Sequence, residues 1–162
     1  MSETIQGTRH SIMFSKSMAN AVVAGRKTQT RRLAVRVPGR KRDRQQVTVP
    51  TASKWTTAKV GDVLLCKASH YAKPFARAVI TGVRTEDLHA LTPADAMAEG
   101  ITAGRYQTGG FTADPEARHL YAATPIEAFR VLWETLHGLG AWERNPRVVV
   151  LSFRVLLPED EA

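Results

Sequence analysis

The chain has 162 residues, 43% of them hydrophobic, and a formal net charge of +8 at pH 7. This length is typical of one domain with a substantial core, so we predict a single domain over residues 1–162. No stretch approaches the roughly 18 consecutive apolar residues of a membrane span, and the N-terminus lacks the basic-then-apolar layout of a signal peptide. One cysteine, Cys66, excludes an internal disulfide and a multi-cysteine zinc site. We therefore expect a cytoplasmic protein with no membrane partner.

Hydrophobic periodicity and turn residues predict a mixture of strands and helices. In chain order they are a strand at 11–14, a helix at 18–24, a polar and basic insertion at 34–59, strands at 63–66 and 76–83, a helix at 92–99, a long loop at 102–123, a helix that starts at 124 and a strand at 148–157. This order is not a regular alternation of parallel strands and helices. It predicts an α+β fold with a small mixed or antiparallel sheet or barrel and helices at its ends.

A polar octet, GRKTQTRR at residues 25–32, follows the first predicted helix. That helix buries Met18, Ala21 and Val22 and ends at Gly25. Because no apolar residue interrupts the octet, we predict that it is neither a core strand nor a core-facing helix, and that a turn presents its side chains. So many donors beside a rigid helix favour a site for an anionic or polar ligand. The alternative is a solvated helix end.

The basic residues are concentrated in one segment. Residues 26–59 hold eleven lysines and arginines and one acidic residue, Asp43, which gives the segment +10 and leaves −2 for the rest of the chain. A basic excess confined to one segment favours a polyanion partner. The alternative is a cationic loop with no fixed partner.

The helix at 92–99 has the clearest boundaries. Thr92 is its predicted N-cap, Asp95 completes a capping box, and Gly100 ends it. Glu99 lies in the last turn, where the helix macrodipole disfavours a carboxylate. Its position therefore calls for a role other than helix stability.

Other residues carry weaker signals. The five histidines have no ligand-like spacing, so we predict no metal site. Cys66 is predicted to be an inert core thiol, and Trp133 to lie in the core on the apolar face of the last helix. Trp55 in the basic insertion, Trp142 and Tyr71 are candidates for stacking on a base, with packing in the core as the alternative.

The octet resembles the signature of the ASCH domain, in the form with Lys-Thr-Gln-Thr-Arg-Arg that is similar to ASCH-like proteins common in bacteriophages. Further sequence segments after the octet occur in the same order as in that family. They are Val60-Gly61-Asp62, Leu91-Thr92, Ala98-Glu99-Gly100-Ile101, Phe129 to Trp133, Trp142, Asn145-Pro146 and the strand at 148–153. The resemblance covers most of residues 11–155. It implies a PUA-like β-barrel with helices closing its cleft and a role in nucleic-acid or nucleoside chemistry. A phage-encoded protein would act in the host cytoplasm.

One branch of this family consists of small amidohydrolases that remove the acetyl group of N4-acetylcytidine. The resemblance implies that Lys27, Thr30 and Glu99 are the catalytic residues, without a cofactor. Thr30 is either the nucleophile or a group that positions water. Lys27 is either a base or a cation that stabilises the oxyanion, and Glu99 relays a proton to the leaving nitrogen. We assign the binding of substrate or nucleic acid to Arg26, Thr28, Gln29, Arg31, Arg32, Lys67, Tyr71, Arg40, Lys41, Arg42 and Arg44.

Within that set, Arg26, Arg31 and Arg32 are predicted to form a phosphate-facing rim. The sequence departs from many phage relatives after the strand at 63–66, where they have an Arg-Glu pair and this chain has Lys67 and Ala68. Alanine cannot replace a carboxylate, so any substrate contact of that glutamate is lost or moved here.

Two functions follow from these features. The first is an amidohydrolase that acts on an acylated pyrimidine nucleoside or nucleotide, favoured by Lys27, Thr30 and Glu99. The second is a non-catalytic reader, or weak nuclease, of RNA or DNA, favoured by the basic segment because a free nucleoside has no phosphate. Both hold if the substrate is a modified base within a nucleotide or polynucleotide. The oligomeric state is left open.

Overall fold

The computed structural model describes residues 5–36, 49–104, 109–116 and 121–161. Its strands and helices are, in chain order, β1 (Arg9–Met13), α1 (Lys16–Val23), β2 (Gln29–Leu33), β3 (Val35–Arg36), β4 (Thr51–Ala52), β5 (Val63–Lys67), β6 (Ala76–Asp87), α2 (Pro93–Ala98), β7 (Thr102–Ala103), β8 (Phe111–Thr112), α3 (Pro125–His137) and β9 (Arg147–Val155). Short 3-10 helices cover Lys54–Thr57, Leu88–Ala90 and Pro158–Glu161. Within these described ranges, no helix has the length and apolar character needed to cross a membrane.

Five strands form the main sheet in the order β1-β5-β6-β9-β2. β1 and β5 run parallel, and the other neighbouring strands run antiparallel. The sheet curls into a half-barrel with a few helices packed on it. The predicted α+β class with a small mixed sheet is therefore confirmed.

The long strand β9 divides the core in two, because successive side chains of a strand point to opposite faces. Its residues Val149, Leu151 and Phe153 join one apolar cluster, and Val148 and Val150 join the other. The first cluster receives the buried face of α1, and the second receives α2 and α3. The buried stripe predicted for α1 and the core position predicted for Trp133 are confirmed.

The octet differs most from its prediction. Its second half forms β2, which pairs with β9 along its whole length. Gln29, Thr30 and Arg31 are buried in this strand, so the prediction that the octet contains no core strand is wrong. Gln29 and Arg31 are tolerated there because side chains of β6 and α2 satisfy their hydrogen bonds and charges.

Two segments predicted to be irregular contain short strand pairs. β3 pairs with β4 inside the insertion at 34–59, and β7 pairs with β8 inside the loop at 102–123. Both pairs are too short to be read from a hydrophobic pattern. Residues 37–48 lie outside the described part of the chain, and the predicted nucleic-acid contacts Arg40, Lys41, Arg42 and Arg44 fall within them.

Candidate active site

A cavity of about 300 Å³ opens between α1, β2, the end of α2 and α3. The three predicted catalytic residues, Lys27, Thr30 and Glu99, all line it. Its apolar wall includes Phe14, Met18, Trp55, Phe129, Leu132 and Trp133. The fold thus brings the predicted trio to one concave site with both polar and aromatic surface, which is the usual character of a small-molecule pocket.

The backbone turn at the end of α1 directs the side chain of Lys27 into the protein interior. Gly25 adopts a φ of 78°, a conformation that glycine accepts without strain. The chain then folds back, and the amides of Arg26 and Lys27 both donate to the carbonyl of Ala21 at 2.9 and 3.0 Å. The amide of Thr28 donates to the carbonyl of Ala98 at 2.8 Å. This last bond ties the start of β2 to the end of α2 and brings Lys27 against Glu99.

A close approach between two helix ends completes the placement of Glu99. Thr92 and Asp95 form the predicted capping box at the start of α2, and Glu99 is the C-cap. Gly100 follows with a φ of 107°, and a Cβ at this position would lie 3.2 Å from the Cβ of Ala21 and 3.5 Å from the Cβ of Lys27. Glycine is therefore required for both its backbone conformation and its small size.

Lys27 and Glu99 form a buried ion pair. Lys27 Nζ donates to Glu99 Oε2 at 2.7 Å and to the backbone oxygen of Glu99 at 2.9 Å. Each side chain is 3% exposed. Burial lowers the pKa of Lys27, and although the charge and hydrogen bond of Glu99 oppose this effect, the pKa stays below its usual value. The charges of Arg32 and Arg31 lower it further.

Arg31 binds three carboxylates, one from β6 and two from α2. Its guanidinium lies 2.7 Å from Glu86 Oε1, 3.3 Å from Asp95 Oδ2 and 3.1 Å from Glu99 Oε1, and its side chain has no exposed surface. It also donates to Gln29 Oε1, and Gln29 Nε2 donates to Asp95 Oδ1 at 3.4 Å. The prediction that Arg31 belongs to an exposed phosphate-facing rim is wrong, because these carboxylates already neutralise it in the interior.

Arg84 closes this network on the solvent side. Its guanidinium lies 3.0 Å from Glu86 Oε2 and 3.1 Å from Asp95 Oδ1, with 44% of its side chain exposed. Glu86 and Arg84 were missed in the sequence analysis, and Asp95 was assigned only a capping role. The alternation Arg84-Thr85-Glu86 places both charges on one face of β6, but nothing local indicates that Arg31 is their partner.

Thr30 lies on β2 opposite Leu151 of β9 and is 3% exposed. Among the residues that the structure describes, its hydroxyl forms no hydrogen bond, so none links it to Lys27 or Glu99. A hydroxyl without a hydrogen-bonded base is a weak nucleophile. The geometry of the unliganded site therefore favours Thr30 as a group that holds water or substrate.

Arg32 and Lys54 lie at the gap between the two edge strands of the sheet. Arg32 Nη2 on β2 donates to the backbone oxygen of Met13 on β1 at 2.9 Å, and its guanidinium lies 5.3 Å from the ring centre of Phe14. Lys54 Nζ donates to the backbone oxygen of Ser11 at 2.8 Å. Burial, and then the charges of Arg32 and Lys67, lower the pKa of Lys54. Arg32 thus lines the cavity, and Lys54 lies between two lining residues, Ser53 and Trp55.

The remaining predicted binding residues take varied positions. Thr28 is exposed and Arg26 is half-buried beside the site. Lys67, at the end of β5, and Tyr71, whose side chain is 78% exposed, are not among the residues that line the cavity. Trp55 is 9% exposed and belongs to the core while also lining the cavity. Trp142 stacks on His89 with ring centres 4.8 Å apart and is not among the residues that line the cavity.

Two further features bear on the chemistry. Within the described ranges, no group of three or more His, Cys, Asp and Glu side chains is placed to hold a metal ion. Cys66 is buried on β5, and burial raises the pKa of its thiol to about 12. It is the inert core thiol that was predicted.

Comparison with known proteins shows the fold. No protein-family model and no curated protein matches the chain. A solved ASCH domain from Lactobacillus crispatus JV V101 superposes with a TM-score of 0.50 and 16% identity, over 91% of this chain and 79% of that one. The hypothetical protein PH0355 superposes with a TM-score of 0.55 and 12% identity, over 92% of this chain and 100% of that one. The chain therefore has the PUA-like ASCH fold.

Proposed function

We propose that this protein is a member of the ASCH domain family and an amidohydrolase that removes the acyl group from an N4-acylated cytidine-type nucleoside or nucleotide. The observation that carries this proposal is the buried Lys27–Glu99 pair, 2.7 Å apart, which lines one cavity together with Thr30. These are the residue types and positions that the resemblance to the amidohydrolase branch implies.

The size and lining of the cavity support a small planar substrate. Its volume of about 300 Å³ is at the lower end of the range for small-molecule sites, roughly 300–1,000 Å³. Aromatic walls such as Phe14 and Trp55 suit the faces of a single base. Charged groups at Lys27 and Glu99 suit the polar edge that carries the amide.

The proposed reaction adds water to the acyl carbonyl carbon. A new carbon–oxygen bond forms, the bond from carbon to N4 breaks, and the proton that water loses is delivered to N4. The products are the unmodified cytosine and a carboxylic acid, which releases its proton to solvent and leaves as the carboxylate. Lys27 and Glu99 form the proton-transfer unit, and Thr30 holds the attacking water or the carbonyl group.

Mass spectrometry of modified nucleosides and nucleotides incubated with the protein tests this proposal. The wild type should convert N4-acetylcytidine or its nucleotide to the deacetylated form. Lys27→Ala should lower the rate by about 10²–10⁴-fold, the usual contribution of a proton-transfer group. Lys73→Ala, at an exposed lysine away from the cavity, is the matched control and should keep full activity. Intact substrate at concentrations that a known amidohydrolase clears would exclude this reaction.

A second candidate function is binding to RNA or DNA through the basic segment. The cations Arg26, Arg32 and Lys54 lie beside the site, and they belong to the segment at 26–59, whose charge of +10 a free nucleoside does not require. A modified base held in the cavity while the flanking phosphates contact this segment would combine both functions. The two candidates are therefore compatible.

Salt dependence tests the second candidate. Affinity for a single-stranded oligonucleotide should fall steeply with salt, and replacing Arg40, Lys41, Arg42 and Arg44 by glutamine should reduce the slope of log K against log salt by up to about 3. The control replaces four exposed cations elsewhere, Arg9, Lys16, Lys73 and Arg144, and should change the slope less. Equal slopes in the two variants would argue against a role for the basic segment.

A further inference from the structure

We infer that Arg31 is a positioning residue that holds Glu99 as a fixed anion and leaves Lys27 as the group that gives and takes the proton in the proposed reaction. The catalytic part of this inference rests on the proposed function. The effect of Arg31 on Lys27 is a property of the unliganded protein and is testable without any substrate.

Both oxygens of Glu99 are occupied by cationic donors. Oε2 accepts from Lys27 at 2.7 Å, and Oε1 accepts from Arg31 at 3.1 Å. A protonated carboxyl group carries an O–H donor and needs an acceptor for it, and neither an ammonium group nor a guanidinium group is one. While Lys27 is an ammonium, Glu99 therefore holds no proton that it could deliver, which argues against the acid relay expected from the sequence.

Two carboxylates besides that of Glu99 hold Arg31 in this position. Glu86 on β6 and Asp95 on α2 bind the same guanidinium at 2.7 and 3.3 Å. The full network contains three cations, Lys27, Arg31 and Arg84, and three carboxylates, Glu86, Asp95 and Glu99, so it is neutral as a whole. A buried pair that loses one partner leaves an uncompensated charge, so each member keeps the others in place.

Unlike the Glu99 carboxylate, the Lys27 amino group has a hydrogen-bonding position that neither member of the pair occupies. Of its three N–H donors, two bond to Glu99, and the residue lines the cavity with Nζ 5.8 Å from the ring centre of Phe14. The charged groups that face it are Glu99 from the end of α2 and Arg31 and Arg32 from β2. Burial lowers its pKa, which favours exchange of a proton with a bound substrate. As an amine it accepts the proton of the attacking water, and as an ammonium it returns that proton to N4.

The variant Arg31→Gln separates this role from a purely structural one. It removes a positive charge beside Lys27, and it makes Lys27 the sole cationic partner of the Glu99 carboxylate within the described network. Both effects raise the pKa of Lys27. We expect the titration of Lys27, followed by NMR in protein labelled with ¹³C at the lysine ε-carbon, to shift to higher pH. The signal is assigned by its loss in Lys27→Arg. Activity should fall most at neutral pH, and the acidic limb of the pH–rate profile should move upward by the same amount.

Two matched variants complete the experiment. Arg31→Lys keeps a cation against the carboxylates and should restore most of the wild-type titration. Arg84→Gln removes a cation of the same network whose ion pairs among the described residues are with Glu86 and Asp95, so its shift should be smaller than that of Arg31→Gln. If Arg31→Gln does not fold, Arg31→Gln/Glu86→Gln removes an opposite charge with it and carries the same test.

An unchanged Lys27 titration in folded Arg31→Gln, or an equal shift in Arg84→Gln, would overturn the inference. Failure of the proposed function would give a different set of results from failure of this inference. In that case the wild type leaves acylated substrates intact while the Lys27 titration still responds to Arg31.

Discussion

Lys27 and Glu99 are 72 positions apart in the chain, yet Lys27 Nζ lies 2.7 Å from Glu99 Oε2 in the interior of the protein. Two helix ends create this contact, since Lys27 follows the end of α1 and Glu99 is the C-cap of α2. The carboxylate at an unfavourable end of the α2 macrodipole is thereby explained, because a lysine and an arginine compensate it.

Breaking this pair should destabilise the fold strongly. Lys27→Met and Glu99→Gln each leave buried charge without its partner, and we expect a loss of about 3–5 kcal/mol in the free energy of unfolding for each. The double variant should lose less than the sum, with a coupling of about 0.5–3 kcal/mol. Urea unfolding of the four proteins measures this cycle, and strictly additive losses would show that the contact is not energetically coupled.

Gly100 should be more sensitive to substitution than a glycine of similar backbone conformation. Gly100→Ala and Gly138→Ala both place a Cβ on a residue with φ near 100°, which costs on the order of 1–3 kcal/mol. At Gly138 nothing lies within 4 Å of the added atom, whereas at Gly100 it would lie 3.2 Å from the Cβ of Ala21. We expect the larger loss of thermal stability at Gly100, and similar losses at both positions would contradict the close approach of α1 and α2.

Asp62 should make stability depend on acid pH. Burial alone would raise the pKa of Asp62, but hydrogen bonds from His10 and from the amides of Lys59 and Thr8 outweigh burial and hold it below its usual value. A carboxyl group with a lowered pKa in the folded state contributes stability above its unfolded pKa, about 3.9, and loses that contribution as the pH falls through the folded value.

Denaturant unfolding of wild type and Asp62→Asn across pH 7 to 2 measures this effect. The difference between them should be largest at neutral pH, about 1–3 kcal/mol from the hydrogen bonds left unmade, and should shrink below about pH 4. Asp87→Asn, at an exposed ion pair with Arg147, is the control and should cost less than about 1 kcal/mol. A difference that is constant with pH would refute the role of Asp62.

Cys66 should be protected from thiol reagents in the folded state. Its side chain is fully buried, and burial raises its pKa to about 12, so very little of the reactive thiolate is present at neutral pH. Alkylation should therefore proceed at the rate at which the protein opens, and rapidly in denaturant. Fast labelling of the native protein would place the thiol at an accessible site.

Local features were predictable from the sequence where neighbouring residues decide them. The capping box of Thr92 and Asp95, the buried face of α1 and the core position of Trp133 each depend on residues within one or two turns of a helix. The resemblance also directed attention to Lys27, Thr30 and Glu99, which the fold does bring to one cavity. Their catalytic roles remain predictions.

Arg31 shows where such reasoning fails. A run of polar residues without an apolar neighbour has the pattern of an exposed turn, yet β2 lies in the main sheet with Arg31 fully enclosed. Its burial depends on Glu86, Asp95 and Glu99, which lie 55 to 68 positions later in the chain. No local pattern reports such partners, because the cost of burying a charge is offset only after the elements have packed.

The polar octet thus combines both kinds of information. Its composition alone determined that it would bind charged or polar groups, since side chains with that many donors need acceptors wherever they lie. The tertiary structure decided which groups those are. Lys27 and Arg31 turn inward to carboxylates of β6 and α2, and Arg32 bridges the two edges of the sheet. The physical reason is that charge in a protein interior is stable only where opposite charge meets it, and only the folded chain brings such distant residues within 3 to 4 Å.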